Sequence, residues 1–118
     1  MKKLHLGAGF NVLAGWLNTD VNPESDNIAY LDITDPLPFQ DGKFDYIFSE
    51  HLLEHVSYEE GIYHLARFHR ILRKNGKIRI ATPDLQFLIG LYTYEEKTEE
   101  QQHYIRWTVD KCFYNTFF

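Results

Sequence analysis

Residues 44–81, FDYIFSEHLLEHVSYEEGIYHLARFHRILRKNGKIRIA, decide the fold. Phe44-Asp45-Tyr46-Ile47-Phe48 follows the Asp41-Gly42 turn, and Lys77-Ile78-Arg79-Ile80-Ala81 ends before Pro83; both have the length and composition of strands. Between them Ser57-Tyr58-Glu59-Glu60 opens a helix, because the Ser57 and Glu60 side chains can each satisfy an amide that the first turn leaves unpaired. Ile62, Leu65, Ala66, His69 and Leu72 recur at the helical period and define its expected apolar face. Asn75-Gly76 is expected to close the helix, since those residues tolerate left-handed backbone. Strand, helix and strand in that order predict a right-handed parallel crossover.

Upstream, Leu4-His5-Leu6 stops at Gly7-Ala8-Gly9, the run Trp16 to Val21 stops at Asn22-Pro23, and Ile28 to Ile33 precedes Pro36 and Pro38. These read as three more strands, five in all, in an α/β domain. Downstream the pattern turns helical: Leu85, Leu88, Ile89 and Tyr92 share a face, Thr98-x-x-Gln101 offers a second capping box, and Tyr104, Ile105, Thr108, Val109 and Cys112 continue the stripe. Phe113-Tyr114-Asn115-Thr116-Phe117-Phe118 is an apolar ending that wants cover, and a homodimer through this segment is one expectation.

The chain has 118 residues, 44% hydrophobic and 25% charged, which suits one soluble domain over residues 1–118, with a core at 3–85 and a helical segment at 85–118. Twelve basic against 17 acidic residues give a net charge of −5, the wrong sign for a domain that gains affinity by displacing phosphate counterions, so no nucleic acid partner is expected. The basic residues between Arg67 and Lys77 read as a solvated helix face. The single cysteine, Cys112, offers no intramolecular disulfide and suits a reducing compartment. No apolar run approaches membrane-spanning length and Gly7 interrupts the N-terminal run, so the expectation is a cytoplasmic protein with no membrane partner.

Gly7-Ala8-Gly9 directly after a strand is where an open parallel sheet lets a ligand reach backbone, although it also suits an ordinary tight turn. Asp20 closes the second strand, where a carboxylate can accept hydrogen bonds from both hydroxyls of a ribose; alternatively it caps the Asn22-Pro23 turn. The glycine and the acid are 13 positions apart, against about 20 in dinucleotide sites, so no long first helix fits between them. Without a helix N-terminus for a pyrophosphate, dinucleotide binding is disfavoured. S-adenosylmethionine, with an adenosine end, no phosphate and a cationic sulfur, is compatible with that deletion.

Leu4-His5-Leu6-Gly7-Ala8-Gly9, Gly15-Trp16-Leu17-Asn18-Thr19-Asp20, Leu37-Pro38-Phe39, Phe44-Asp45-Tyr46-Ile47, Leu53-Glu54-His55-Val56 and Leu72-Arg73-Lys74-Asn75-Gly76-Lys77 together resemble the class I S-adenosylmethionine-dependent methyltransferases. The likeness covers about residues 3–85 and is closest to the small-molecule branch, in a subgroup with a reduced first helix. It implies a Rossmann-like, mostly parallel sheet with flanking helices, S-adenosyl-L-methionine as cofactor, and methyl transfer to a small-molecule acceptor. Gly7, Ala8 and Gly9 would approach the methionine end, Asp20 and Val21 the ribose, and Asp32 and Ile33 the adenine; Ser49, Glu50 and His51 would face the reactive methyl. The family's third glycine is absent, and its sheet has seven strands against the five expected here, a truncated version. A non-catalytic module that binds the cofactor is therefore the alternative.

His51-Leu52-Leu53-Glu54-His55 also matches H-x-x-E-H, in which two histidines on one helix hold zinc and the acid activates water. A zinc hydrolase is thus a lesser alternative; against it, His51 directly follows a strand and Ser57 restarts a helix. In the methyltransferase reading no metal is needed, and His51 is the candidate general base, with Glu54 and His55 behind it. His5, between two strand leucines, reads as a hydrogen-bonded structural residue, and His64, His69 and His103 as parts of helical patterns. Tyr92, Tyr94, Tyr104, Trp107 and Phe113 read as core or interface rather than an acceptor wall.

Overall fold

The computed structural model describes residues 1–110, and the chain divides into two compact units, Met1–Thr82 and one beginning at Pro83. Cys112 and the apolar segment 113–118, on which the expected homodimer rests, lie outside the described residues. In the first unit, β1 (Lys3–Leu6), β2 (Leu17–Asp20), β3 (Ile28–Tyr30), β4 (Phe44–Glu50) and β5 (Leu72–Ala81) form one sheet in the order β3-β2-β1-β4-β5. Every neighbouring pair is parallel, as the crossover reading requires. This is the Rossmann-like α/β architecture expected from the sequence, with five strands.

Residues 7–16 cross from β1 to β2 as a loop, and Asn18 does the work a helix would otherwise do. Its Oδ1 accepts the Leu13 amide (2.9 Å) while its Nδ2 donates to the Leu13 and Trp16 carbonyls (3.1 and 3.3 Å). The His5 Nδ1 meets the same Oδ1 at 3.1 Å and the His5 ring stacks on Phe48 at 5.0 Å. His5 is therefore the satisfied structural histidine anticipated.

Helix α1 (Tyr58–Ile71) starts at the expected capping box: the Ser57 hydroxyl accepts the Glu60 amide, and the Glu60 carboxylate accepts the Ser57 amide. Its buried face differs from the expected one. His64, Phe68 and Ile71 are buried, whereas Ile62 and Leu65 are exposed. Phe68 and Ile71 join Leu4, Leu6, Ile47, Leu31, Ile33, Leu37 and Phe44 in one core, so the helix turns to the sheet the side with the largest pair of apolar groups. A histidine completes that stripe, which the apolar count overlooked.

The end of α1 also differs. The helix stops at Ile71 and Leu72 is already extended; Asn75-Gly76 sits inside β5, where the register shifts between the Phe44–Leu72 and Tyr46–Lys77 pairs. Asn75 does take left-handed backbone, at φ 65°, but it does so in this irregularity rather than in a helix cap. A Cβ on Gly76 would come within 2.9 Å of the Arg73 carbonyl oxygen, so the kink needs glycine there. Arg67 and Arg70 are not simply solvated. The Arg67 guanidinium donates to the Asp35 carbonyl at 2.7 Å and the Arg70 guanidinium to the Phe39 carbonyl at 2.9 Å. These bonds fasten the proline-containing segment after β3, whose carbonyls have no strand partner, to the helix.

His64 is 1% exposed, and among the described residues neither ring nitrogen has a hydrogen-bond partner. Burial is the main force holding its pKa below the ordinary 6.5; Arg67 lowers it further, opposed by Glu60 on the same helix and by Asp32 beyond β3. In the window between the depressed folded pKa and 6.5 the unfolded chain binds the extra proton, so stability is complete above about pH 6.5 and falls as the pH drops through that window. His64→Leu, which removes two unsatisfied polar atoms from the core, is expected to flatten this dependence and to raise Tm at pH 6. Thermal melts of both proteins between about pH 7.5 and 5.5 check it, and parallel curves would refute it.

The second unit contains α2 (Leu85–Thr93), capped by Asp84, and α3 (Glu99–Thr108), which opens at the expected Thr98–Gln101 capping box. Phe87 meets Tyr104 edge to face at 5.5 Å, and the buried Gln101 donates to the Phe87 carbonyl. Gly90 is the buried residue of α2, while Leu85, Ile89 and Tyr92, three members of the expected stripe, are exposed.

Candidate functional site

The carboxyl ends of all five strands lie along one edge of the sheet, and strand order reverses between β1 and β4. Such a reversal opens a crevice, because the connections on its two sides lead away from each other. Gly7-Ala8-Gly9 leaves β1 on one side of it; Ser49, Glu50 and His51 leave β4 on the other, with Leu6 and Ser49 in register. Beyond the glycines come Asp20 at the end of β2 and, past Tyr30 in register with it, Asp32 after β3. The sheet thus assembles the expected site residues along one line.

Within that line Asp20 and the glycine turn are joined. The Gly9 amide donates to Asp20 Oδ2 and the Asn22 amide to Oδ1, both at 2.9 Å. The turn-capping alternative and a tie to the glycine loop are therefore both realised, and each carboxylate oxygen keeps a further lone pair for a ligand. Gly7 and Gly9 have left-handed backbone, φ 65° and 50°. A Cβ at Gly9 would meet nothing within 4 Å, so the backbone there can be approached closely; one at Gly7 would touch Leu52 at 3.2 Å. Ala8 is buried, its amide donating to the Thr19 carbonyl, and Val21 is exposed just past β2.

Asp32 Oδ1 accepts both the hydroxyl and the amide of Thr34, at 2.7 and 2.8 Å, which holds its carboxyl below the usual carboxylate range and leaves Oδ2 uncommitted. Ile33 belongs to the core. Ser49, named from the resemblance, is fully buried, and among the described residues its Oγ has no hydrogen-bond partner.

His51 stands at φ 51°, a left-handed conformation uncommon for residues with a Cβ. Its amide donates to the Ala81 carbonyl at the end of β5, and its Nδ1 lies 3.2 Å from Glu54 Oε1. In the neutral tautomer whose Nδ1–H donates to that carboxylate, Nε2 carries the lone pair. The same geometry corrects the zinc alternative. Leu53–His55 is a single 3-10 turn and His51 precedes it in left-handed backbone, so the two histidines of H-x-x-E-H do not share the regular helix that would aim both at one metal. Among the described residues no three His, Cys, Asp or Glu side chains cluster to hold a metal ion, and no helix is long and apolar enough to cross a membrane.

A family model described as a methyltransferase domain matches residues 4–80. Among solved structures, the trans-methyltransferase CalH, complexed with SAH, is similar at 20% identity and a TM-score of 0.52 over 68% of this chain. The phosphoethanolamine N-methyltransferase 2 of Haemonchus contortus, in complex with phosphomonomethylethanolamine and S-adenosylhomocysteine, is similar at 20% identity and a TM-score of 0.51 over 89% of this chain. At such identities the likeness is one of fold. The chain accounts for 31% and 32% of the lengths of these two proteins. No curated protein sequence matches it.

Proposed function

The chain belongs to the methyltransferase domain family, and we propose that it binds S-adenosyl-L-methionine at the β1–β4 crevice and transfers the methyl group to a small-molecule acceptor. The observation that carries this reading is the Gly9–Asp20 hydrogen bond, which aligns an open glycine turn and a carboxylate beside a strand-order reversal with no helix between them. When bound, the cofactor supplies a methyl group on a cationic sulfur, open to in-line attack by a nucleophile.

In this proposal the Asp20 carboxylate accepts the ribose hydroxyls with Val21 beside the sugar, and the free Asp32 Oδ2 accepts the adenine amino group. Ile33 contributes by anchoring Asp32 to the core. The backbone of the Gly7-Ala8-Gly9 turn approaches the amino-acid tail, and Ser49 and Glu50 border the reacting centre. Holding nucleophile and methyl group at contact distance is the main catalytic demand. His51, oriented by Glu54 through Nδ1, removes a proton at Nε2 when the acceptor is a hydroxyl or a protonated amine. A cytoplasmic setting, supported by the lone cysteine, and a single domain over residues 1–118 complete the proposal.

A non-catalytic cofactor-binding module is a second reading, favoured by a span of about a third of the two similar structures. Isothermal titration with S-adenosylmethionine and S-adenosylhomocysteine is expected to give saturable one-to-one binding, and no heat with either ligand would defeat both readings. A methyl-release assay over an acceptor panel then separates them: release supports the enzyme, and binding without release supports the module.

A further inference from the structure

The loop that replaces a first helix leaves one face of the sheet partly open. From Tyr46 onward, alternation along β4 sends Ile47 and Ser49 toward the α1 side and Tyr46, Phe48 and Glu50 to the other. Register puts Lys77 beside Tyr46 and Arg79 beside Phe48, so both cations share that second face. Trp16, from the loop pinned by Asn18, closes one side with its ring 6.3 Å from Phe48 and steeply inclined to it. The result is a cavity of about 690 Å³ whose lining includes Trp16, Tyr46, Phe48, Glu50, Lys77 and Arg79.

Its chemistry is unusual for an exposed sheet face. Among the described residues neither Lys77 nor Arg79 has an ion-pair partner within 4 Å, in a chain of net charge −5 where acids outnumber bases. Arg79 lies 5.8 Å over the Phe48 ring, and Lys3 lies 5.1 Å over Trp16, which fixes the aromatic wall. Charged residues on an edge strand such as β5 do deter strand addition. That role alone, however, does not require an aromatic corner between the cations and a loop wall. The volume falls in the range of small-molecule sites, roughly 300–1,000 Å³, and apolar walls with a few convergent polar groups are how such sites orient a ligand.

We propose that this cavity binds a flat aromatic molecule carrying an anionic group, its ring against Trp16 and Phe48 and its anion between Lys77 and Arg79. The assignment rests on the cavity lining and is independent of the methyltransferase reading; Glu50 alone is common to the two sites. The probe pair is 2-naphthoate and its neutral analogue 2-naphthamide, titrated calorimetrically into the full chain and into a Lys77→Gln/Arg79→Gln double variant. Both substituted positions are solvent-exposed, and circular dichroism verifies the fold. The expected result is one-to-one binding of naphthoate at least tenfold tighter than naphthamide, with the preference abolished in the double variant. Equal affinity for the two probes, absence of saturable naphthoate binding, or a preference that survives in the double variant would overturn the proposal.

Discussion

Asp20→Ala is expected to bind S-adenosylhomocysteine at least tenfold more weakly than the parent chain, a loss of about 1.4 kcal/mol or more. The expectation follows from charge and position: a carboxylate that accepts ligand hydroxyls makes charge-assisted bonds, each worth about 1.5–3 kcal/mol. The same substitution also removes acceptors from the Gly9 and Asn22 amides, so part of any loss could come from a loosened turn. Adenosine and 2′,3′-dideoxyadenosine separate the two effects. A direct sugar contact makes the parent chain prefer adenosine and makes the Ala variant indifferent. Loosening of the turn weakens both nucleosides alike and leaves the preference standing, which would refute the ribose assignment. Calorimetry well below Tm keeps unfolding out of the comparison.

Where a feature depends on a local rule, the sequence disclosed it. The capping boxes at Ser57 and Thr98 form as written, since both partners lie within one turn. The five strands stand where apolar runs meet glycine and proline, and the missing first helix follows from 13 positions between Gly7 and Asp20. Features that depend on distant partners were hidden. Arg67 and Arg70 look solvated until the carbonyls of residues 35 and 39 are brought to them, more than 30 positions away in sequence. Asn75-Gly76 has the residues of a helix cap, but strand pairing with β4 claims Leu72 first, and the left-handed residue falls in the bulge instead. In the site, the Gly9–Asp20 bond gives the expected pair a geometry. The likeness names Ser49, but that its hydroxyl has no partner among the described residues depends on the packing around it.

The buried face of α1 carries the largest expected effect on stability, and a pair of substitutions decides it. Phe68→Ala removes a side chain that is 1% exposed and touches the core built on Leu4, Leu6 and Ile47, for an expected cost of about 3–5 kcal/mol. That is a large fraction of the roughly 5–15 kcal/mol that holds a domain folded, so partial unfolding at room temperature would fit. Ile62→Ala, on the face that apolar periodicity favours, removes a side chain already 52% exposed. Its expected effect lies within about 0.5 kcal/mol of zero, because lost packing is small and alanine is the better helix former. Denaturant midpoints measure both, with Phe68→Leu as a milder step should the alanine variant fail to fold. A helix rotated to the other face reverses the order of the two effects. It would also take His64 out of the core, expose its ring to water and abolish the acid sensitivity expected of it, so the two measurements test one geometry from different sides.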